Sequence, residues 1–283
     1  PIGLELGQGF QHLGSKVTII DQATGIFYKD DPEVGPLMEA SLSNEGIHFE
    51  LSSIIQHISK KGSEYTIKIS KHGKSKTIKG DQLLVALGRR PVTEGLNLEE
   101  VGVKCDTRGF IDVNQKLQST IRNIYACGDV TGPYQFTHMA SYQAGIIIQN
   151  CIFPFKAKVN YDTVPWVTYT QPEVAHVGFT EFGAKSRGLF HDSIIVPLDS
   201  VDRAKTDHDR IGFLKLVIGP RKRIIGTTIV GKKAGELINI GSLAIHQKLS
   251  PKYFMKMIFS YPTLSELYKF SDYNSLNKDL NHG

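Results

Sequence analysis

Asp21 closes the run Val-Thr-Ile-Ile at residues 17–20. A carboxylate at the end of a strand can accept hydrogen bonds from the paired hydroxyls of a ribose. The run itself is short and β-branched, the pattern of a buried parallel strand. Before it, Leu4, Leu6, Phe10 and Leu13 fit one face of a helix that Gly14 ends, and Gly3 stands at its start. The order is therefore glycine, helix, strand, acid. A glycine there allows close helix–strand packing, and a helix N-terminus suits a pyrophosphate. Any αβ unit that happens to contain a glycine gives the same order, so a plain structural reading stands beside the nucleotide-binding one. Asp21, with no arginine in the Asp-Gln-Ala-Thr-Gly that follows the strand, argues for NAD over NADP, because a 2′-phosphate would meet a like charge. The thiols offer less. Cys105, Cys127 and Cys151 are far apart, form no CxxC or Cys/His metal spacing, and read as structural cysteines of a reducing compartment, the cytoplasm.

These residues need elements to hold them. Residues 32–44 read as a helix with Pro32 in its first turn and Glu45-Gly46 as its end, followed by a strand at 47–51. Alternating apolar and polar residues around Gly62-Ser63 and His72-Gly73 predict a three-stranded meander returning to a parallel strand at 83–88. Further on, "FIDV" (110–113) and "NIYACGD" (123–129) read as short strands, and residues 136–153 as a helix with Met139, Tyr142, Ile146 and Ile147 on its apolar side. After Val159 the texture changes. Strand-like segments are broken at Pro165 and Pro172, a hairpin crosses "PRKR", and helical pieces follow, two of them separated at Pro262. The pattern is α/β, in two or three domains with boundaries near Arg89 and Val159.

Composition sets limits. The chain has 283 residues, 40% hydrophobic and 22% charged, as expected of a globular protein. Its net charge of +5 comes from scattered lysines and arginines interleaved with acids, which suit solvated sheet edges better than a nucleic-acid surface. No apolar run approaches the roughly 20 residues that span a bilayer.

Five stretches then occur in order: "VALGRRP" (85–91), "NIYACGDVTG" (123–132), "FTHMASYQAG" (136–145), "TYTQPEVAHVGFTE" (168–181) and "YPTLSE" (261–266). Together they resemble the pyridine nucleotide–disulfide oxidoreductases, the class I flavoproteins that include lipoamide dehydrogenase, mercuric reductase and soluble transhydrogenase. The resemblance runs over essentially the whole chain. It implies a Rossmann-like NAD(P)-binding domain at 1–88, lacking its first strand and part of its glycine-rich turn. The second half of a split FAD domain follows at 89–158, then an α+β dimerisation domain at 159–283 that builds a homodimer. It also implies roles. Gly3 matches the third glycine of the nucleotide turn, Glu5 the acid facing the nicotinamide, Ile55 a contact with the adenine, and Gly88 a nucleotide-contacting glycine between domains. Asp129 matches the acid that accepts a hydrogen bond from the ribitol of FAD, with Gly128 letting backbone approach the ligand. The plain alternative for Asp129 is a turn or cap residue. Gln135, Phe136, Thr137 and His138 lead into a helix whose N–H groups would face the flavin's N1–O2 edge and favour negative charge there. Trp166, Tyr169 and Phe179 fit an aromatic interface or core.

Two departures qualify what the resemblance implies. Tyr261 stands where lipoamide dehydrogenases carry the histidine that Glu266 would orient as a thiol base. A tyrosine with a reference pKa of about 10 is a poor base at neutral pH and a fair hydrogen-bond donor. Soluble transhydrogenases resemble this chain in having Tyr-Pro-Thr, and mercuric reductases have vicinal C-terminal cysteines that residues 273–283 lack. The family's first glycine-rich fingerprint and its C-x4-C redox pair are not in this sequence. The expectation is a portion of an FAD-dependent, NAD(P)H-linked oxidoreductase that holds FAD weakly or not at all and is inactive alone. The alternatives are a soluble transhydrogenase, or a nucleotide-binding and dimerisation module without catalysis. No metal is expected, and the small-molecule substrate is left open.

Overall fold

A computed structural model describes residues 1–271. Two compact units result: residues 1–86 with those from Pro165 onward, and Leu87–Val164.

The first unit opens with α1 (Ile2–His12), then β1 (Thr18–Ile20), α2 (Val34–Asn44) and β2 (His48–Glu50). β1 and β2 pair in parallel, Thr18 opposite His48 and Ile20 opposite Glu50. A parallel pair requires a crossover connection, and α2 supplies it. Pro32 lies ahead of α2 rather than inside it, so the helix begins two residues later than its sequence suggests. α1 packs through a different face from the one its leucines outline. Leu4, Gly7 and Gln8 are buried, whereas Leu6, Phe10 and Leu13 are exposed. The reason is Gly7. A Cβ there would lie 3.3 Å from Ile19 and 3.5 Å from Val17, so the helix comes down on β1 at its smallest residue.

The meander follows as β3 (Ser53–Lys61), β4 (Glu64–Lys71) and β5 (Lys74–Gly80), antiparallel throughout, with turns at the expected glycines. Residues 83–88 correct an expectation. They pair with no strand among the described residues, and Leu84, Val85 and Leu87 are exposed. A β-strand requires a neighbour for its N–H and C=O groups, and β1 pairs with β2 alone.

The second unit has few regular elements. "FIDV" and "NIYACGD" form no strands, only the single bridges Cys105 with Ile111 and Gln118 with Tyr125. Loops held by asparagine and serine side chains replace them: Asn114 Oδ1 accepts from Lys116 and Gln118, and Ser119 Oγ from Ile121. The one long helix is α3 (Thr137–Ile152). Its buried face is Met139, Gln143, Ile146 and Asn150, Ile147 is partly buried, and Tyr142 is exposed, contrary to its expected place on the apolar side. Met139 and Ile146 pack with Leu117, Val159 and Val164.

From Pro165 the chain returns to the first unit. It builds β6 (Pro165–Thr168), β7 (Glu173–Gly178), α4 (Glu181–Ser186), β8 (Asp192–Pro197), α5 (Asp202–Thr206), β9 (Phe213–Ile218), β10 (Ile224–Gly231), α6 (Ala234–His246), α7 (Pro251–Met255) and α8 (Leu267–Phe270). The five strands form one antiparallel sheet in the order β6-β7-β10-β9-β8. Period-2 alternation divides its residues. Ala175, Val177, Leu214, Leu216 and Ile229 pack with Ile238 and Ala244 of α6. On the other side Val174, Phe213 and Val230 join Ile26, Val34 and Met38. The sheet is thus covered on both faces, which is why β9 is buried along its whole length. No helix among the described residues is long and apolar enough to cross a membrane.

Candidate functional site

Of the groups expected to meet a nucleotide, Asp21 stands at the carboxyl end of the β1–β2 pair. Asp21 follows β1 directly. Its N–H donates to the Glu50 carbonyl at 3.2 Å and its carbonyl accepts from Ser53 N–H at 2.9 Å. The exposed carboxylate accepts the Ala23 N–H through Oδ1 at 2.8 Å, an Asx turn that sets its direction. Ile55 lies on β3 opposite Ile69 and is 38% exposed. Gly3 does not carry the helix–strand contact; that is Gly7. A Cβ on Gly3 would instead meet Ala86 at 3.5 Å, an ordinary contact.

Glu5, two residues further along α1, does not point freely outward: its Oε1 accepts the Tyr169 N–H at 2.8 Å. Gln8 on the same helix is buried and joins the same segment. Its Nε2 donates to the Gln171 carbonyl at 2.7 Å, and its Oε1 accepts the Gln171 N–H at 2.7 Å.

In the second unit, Gly128 and Asp129 open a short 3-10 turn. Gly128 has φ +79° and a Cβ there would lie 3.1 Å from that of Ala140, so glycine is required both by conformation and by the approach of α3. Its N–H donates to Gln143 Oε1 at 2.6 Å, and Gln143 Nε2 donates to the Tyr161 hydroxyl at 3.2 Å. Burial pushes the Tyr161 hydroxyl's pKa up, which keeps it protonated. The Asp129 carboxylate forms an ion pair with Arg89 at 2.8 Å, and the same guanidinium donates to the Gln135 carbonyl at 3.2 Å. Arg89 therefore ties the Gly-Asp corner to the entrance of α3. There Phe136 is the N-cap, Thr137 begins the helix, and the Phe136 ring stacks on that of His138 with centroids 5.1 Å apart. Gly88 has φ +113°.

Tyr261 and Glu266 are not brought into a hydrogen bond with each other. Tyr261 is exposed and its hydroxyl donates to Asp202 at 3.1 Å, which also raises its pKa. Glu266 is buried and accepts the Thr263 N–H at 3.1 Å in a capping box. Trp166 is half-buried and donates its indole N–H to Asp30 at 3.1 Å, Tyr169 is exposed, and Phe179 carries the Arg187 guanidinium over its ring. Residues 273–283, where the vicinal cysteines are missing, lie outside the described residues.

Sequence reasoning missed a buried polar row. Trp166, His176, Thr228 and Lys215 are successive cross-strand partners on β6, β7, β10 and β9. The loop before α2 faces them. Lys215 Nζ, with no exposed side-chain surface, meets Glu33 at 2.8 Å, Glu181 at 2.9 Å and Asp31 at 3.4 Å. Burial pulls its ammonium's pKa down, but the three carboxylates outweigh that and hold it above its ordinary value. The Thr228 hydroxyl oxygen lies 2.6 Å from Asp31 Oδ2 and 2.8 Å from His176 Nδ1, and its one proton serves one of the two. His176 Nε2 faces the Gly178 carbonyl at 3.0 Å and so carries a proton. The only hint in the sequence is a lone lysine inside the apolar run of β9. Gln143 could have been found the same way, as one of two amides, with Asn150, on the buried face of α3.

With this geometry in view, comparisons with known proteins agree in direction. A family model described as pyridine nucleotide-disulphide oxidoreductase matches residues 1–144, and the dimerisation-domain model of the same name matches 164–270. Mercuric reductase of Staphylococcus aureus is 37% identical over 94% of this chain and 49% of its own length. Mitochondrial dihydrolipoyl dehydrogenase of Caenorhabditis elegans is 36% identical over 95% of this chain and 55% of its own. Among solved structures, the Cu(II) complex of the HOCl-induced flavoprotein disulfide reductase RclA from Escherichia coli superposes with a TM-score of 0.88 at 28% identity, over 97% of this chain and 62% of that one. The chain spans about half the length of the curated relatives it matches.

Proposed function

This chain belongs to the pyridine nucleotide-disulphide oxidoreductase family, and from that premise we propose that it serves an FAD-dependent, NAD(H)-linked oxidoreductase. The reading has it work as part of a longer protein, since the relatives extend well beyond the matched region. Residues 1–88 would bind the nicotinamide nucleotide, 89–158 part of the flavin, and 159–283 a second copy of the chain. The observation that carries the proposal is Asp21: an exposed carboxylate at the carboxyl end of a parallel strand pair, where a diol ligand is bound in open α/β sheets.

The donor sets fit both cofactors. Asp21 would accept hydrogen bonds from the adenosine ribose, and its charge would repel a 2′-phosphate, favouring NAD(H) over NADP(H). Gly128, whose φ of +79° and close approach to Ala140 disfavour a side chain, would bring backbone close to the flavin, and Asp129 would accept from a ribitol hydroxyl. Arg89 holds that carboxylate in place from one side. The N-terminus of α3, entered through Gln135–His138, favours negative charge. A bound flavin would supply hydride exchange with the nicotinamide and electron transfer to an acceptor. Tyr261, whose pKa Asp202 raises, keeps its proton at neutral pH and so donates rather than accepts. That feature favours an acceptor needing no thiol base, and with it the second reading, a soluble transhydrogenase.

Calorimetric titration with NADH and NADPH tests the nucleotide assignment. NADH is expected to bind more tightly, and Asp21→Asn to weaken NADH by roughly tenfold, the worth of one charge-assisted hydrogen bond. NADPH binding as tightly as NADH would refute it. For the flavin, the purified chain is expected to carry less than stoichiometric FAD by its absorbance. A full complement would overturn the reading that other residues complete that site.

A further inference from the structure

We propose that Gln8 is a positioning residue for the nicotinamide end of the nucleotide, acting through Glu5; the proposal rests on the nucleotide-binding reading of α1 given above. Gln8 is 4% exposed, in the middle of a helix whose other buried residues, Leu4 and Gly7, serve packing. An amide in that position requires a reason, because a buried amide without partners is destabilising. Its partners are specific. Both ends of the side chain engage the two backbone groups of one residue, Gln171, at 2.7 Å each, as a neighbouring strand would. Nε2 also donates to Glu45 at 2.9 Å, beyond the end of α2.

Gln8 and Glu5 lie three residues apart and so share a face of α1. Gln171 and Tyr169 lie two residues apart in the bend that joins β6 to β7, and the N–H groups of both reach side chains of α1. The two spacings match. With Gln8 on Gln171, Glu5 reaches the Tyr169 N–H at 2.8 Å and holds there. The segment that receives them is itself braced. The Thr170 hydroxyl donates to the Pro172 carbonyl at 2.8 Å, and Glu173 accepts the Gly235 N–H of α6 at 2.8 Å. A carboxylate placed by one backbone N–H and a flanking amide clamp has little freedom to rotate, which is what a group facing a reacting ring requires. Gln8 itself touches no reacting atom.

The clamp is tested by separating the two ends of the ligand. NADH and ADP-ribose share the adenosine and pyrophosphate, and only NADH carries the ring that Glu5 would face. Affinities for both are measured by calorimetry on the full-length protein, together with the emission maximum of bound NADH. Gln8→Ala and the near-isosteric Gln8→Met are expected to weaken NADH by about tenfold, to leave ADP-ribose within about twofold, and to move the emission toward that of free NADH. Gln8→Glu keeps the acceptor for the Gln171 N–H but sets a carboxylate against Glu45 and the Gln171 carbonyl, and is expected to recover none of the loss. Equal weakening of both ligands, or no change in either, overturns the inference while leaving the nucleotide reading intact. Failure of the parent protein to bind either ligand overturns both.

Discussion

An ammonium group sealed from water must find its counter-charges inside the protein, and Lys215 finds three. Removing one partner of such a group costs more than the pair contributes, because the remaining charges stay buried. Lys215→Met leaves Asp31, Glu33 and Glu181 facing one another and is expected to destabilise by about 3–5 kcal/mol in urea unfolding. A loss under about 1 kcal/mol would mean that the carboxylates simply turn to water. Glu181 adds a pH signature. The Lys185 hydrogen bond, opposed by burial and aided by Lys215, holds its pKa down at about 2 against an ordinary 4.5. A lowered carboxylate contributes stability that is complete above its unfolded value and is lost as pH falls toward the folded one. Glu181→Gln is therefore expected to be less stable than the parent at pH 7, with the difference shrinking between pH 4.5 and 2. A difference constant across that range would remove Glu181 from the account.

Among the elements, two glycines make opposite predictions. Gly226 on β10 has no space: a Cβ there would lie 1.8 Å from the Phe179 carbonyl oxygen, so Gly226→Ala must displace backbone. Loss of soluble expression, or a fall in melting temperature of more than about 10 °C, is the expected result. Gly9 in α1 has ordinary helical backbone and nothing within 4 Å, so alanine should fit and reduce the freedom of the unfolded chain. Gly9→Ala is expected to stabilise by about 0.5–1 kcal/mol. A fall in stability would mean that the exposed side of α1 has a partner in the intact protein. Elements were legible where local pattern suffices: the meander, the β9–β10 hairpin, α3 and α6 all follow their periodicity and turn residues. They were illegible where pairing decides. Residues 83–88 have a strand's composition and no neighbour, and α1 buries Gly7 and Gln8 in place of its larger apolar residues.

Across the first unit, the polar row on the sheet and the loop at 30–33 join the segment after β1 to the strands after Pro165. Burial lowers the pKa of His176, outweighing the Gly178 carbonyl and the nearby Asp31 and Asp30. The unfolded chain takes up this proton near pH 6.5 and the folded one resists, so stability falls as pH drops below about 6.5. Thermal melts of the parent and of His176→Gln between pH 7.5 and 5 check this, the variant being expected to show the shallower slope. Parallel slopes would show that His176 takes up its proton alike in the folded and unfolded states.

The sequence by itself determined the kinds of element present, the Gly-Asp corner and the strand-end carboxylate, because turn residues, periodicity and a short motif are local properties of the chain. The family, too, was legible in five ordered stretches. Only the tertiary structure decided that Arg89 pairs with Asp129, that Tyr261 turns to Asp202 rather than Glu266, and that Lys215, His176 and Thr228 form one row against Asp31. Those residues meet across separations of up to 197 positions. Nothing in the neighbourhood of a buried lysine or glutamine names its partner; burial makes the partner obligatory, and the packing of distant strands supplies it.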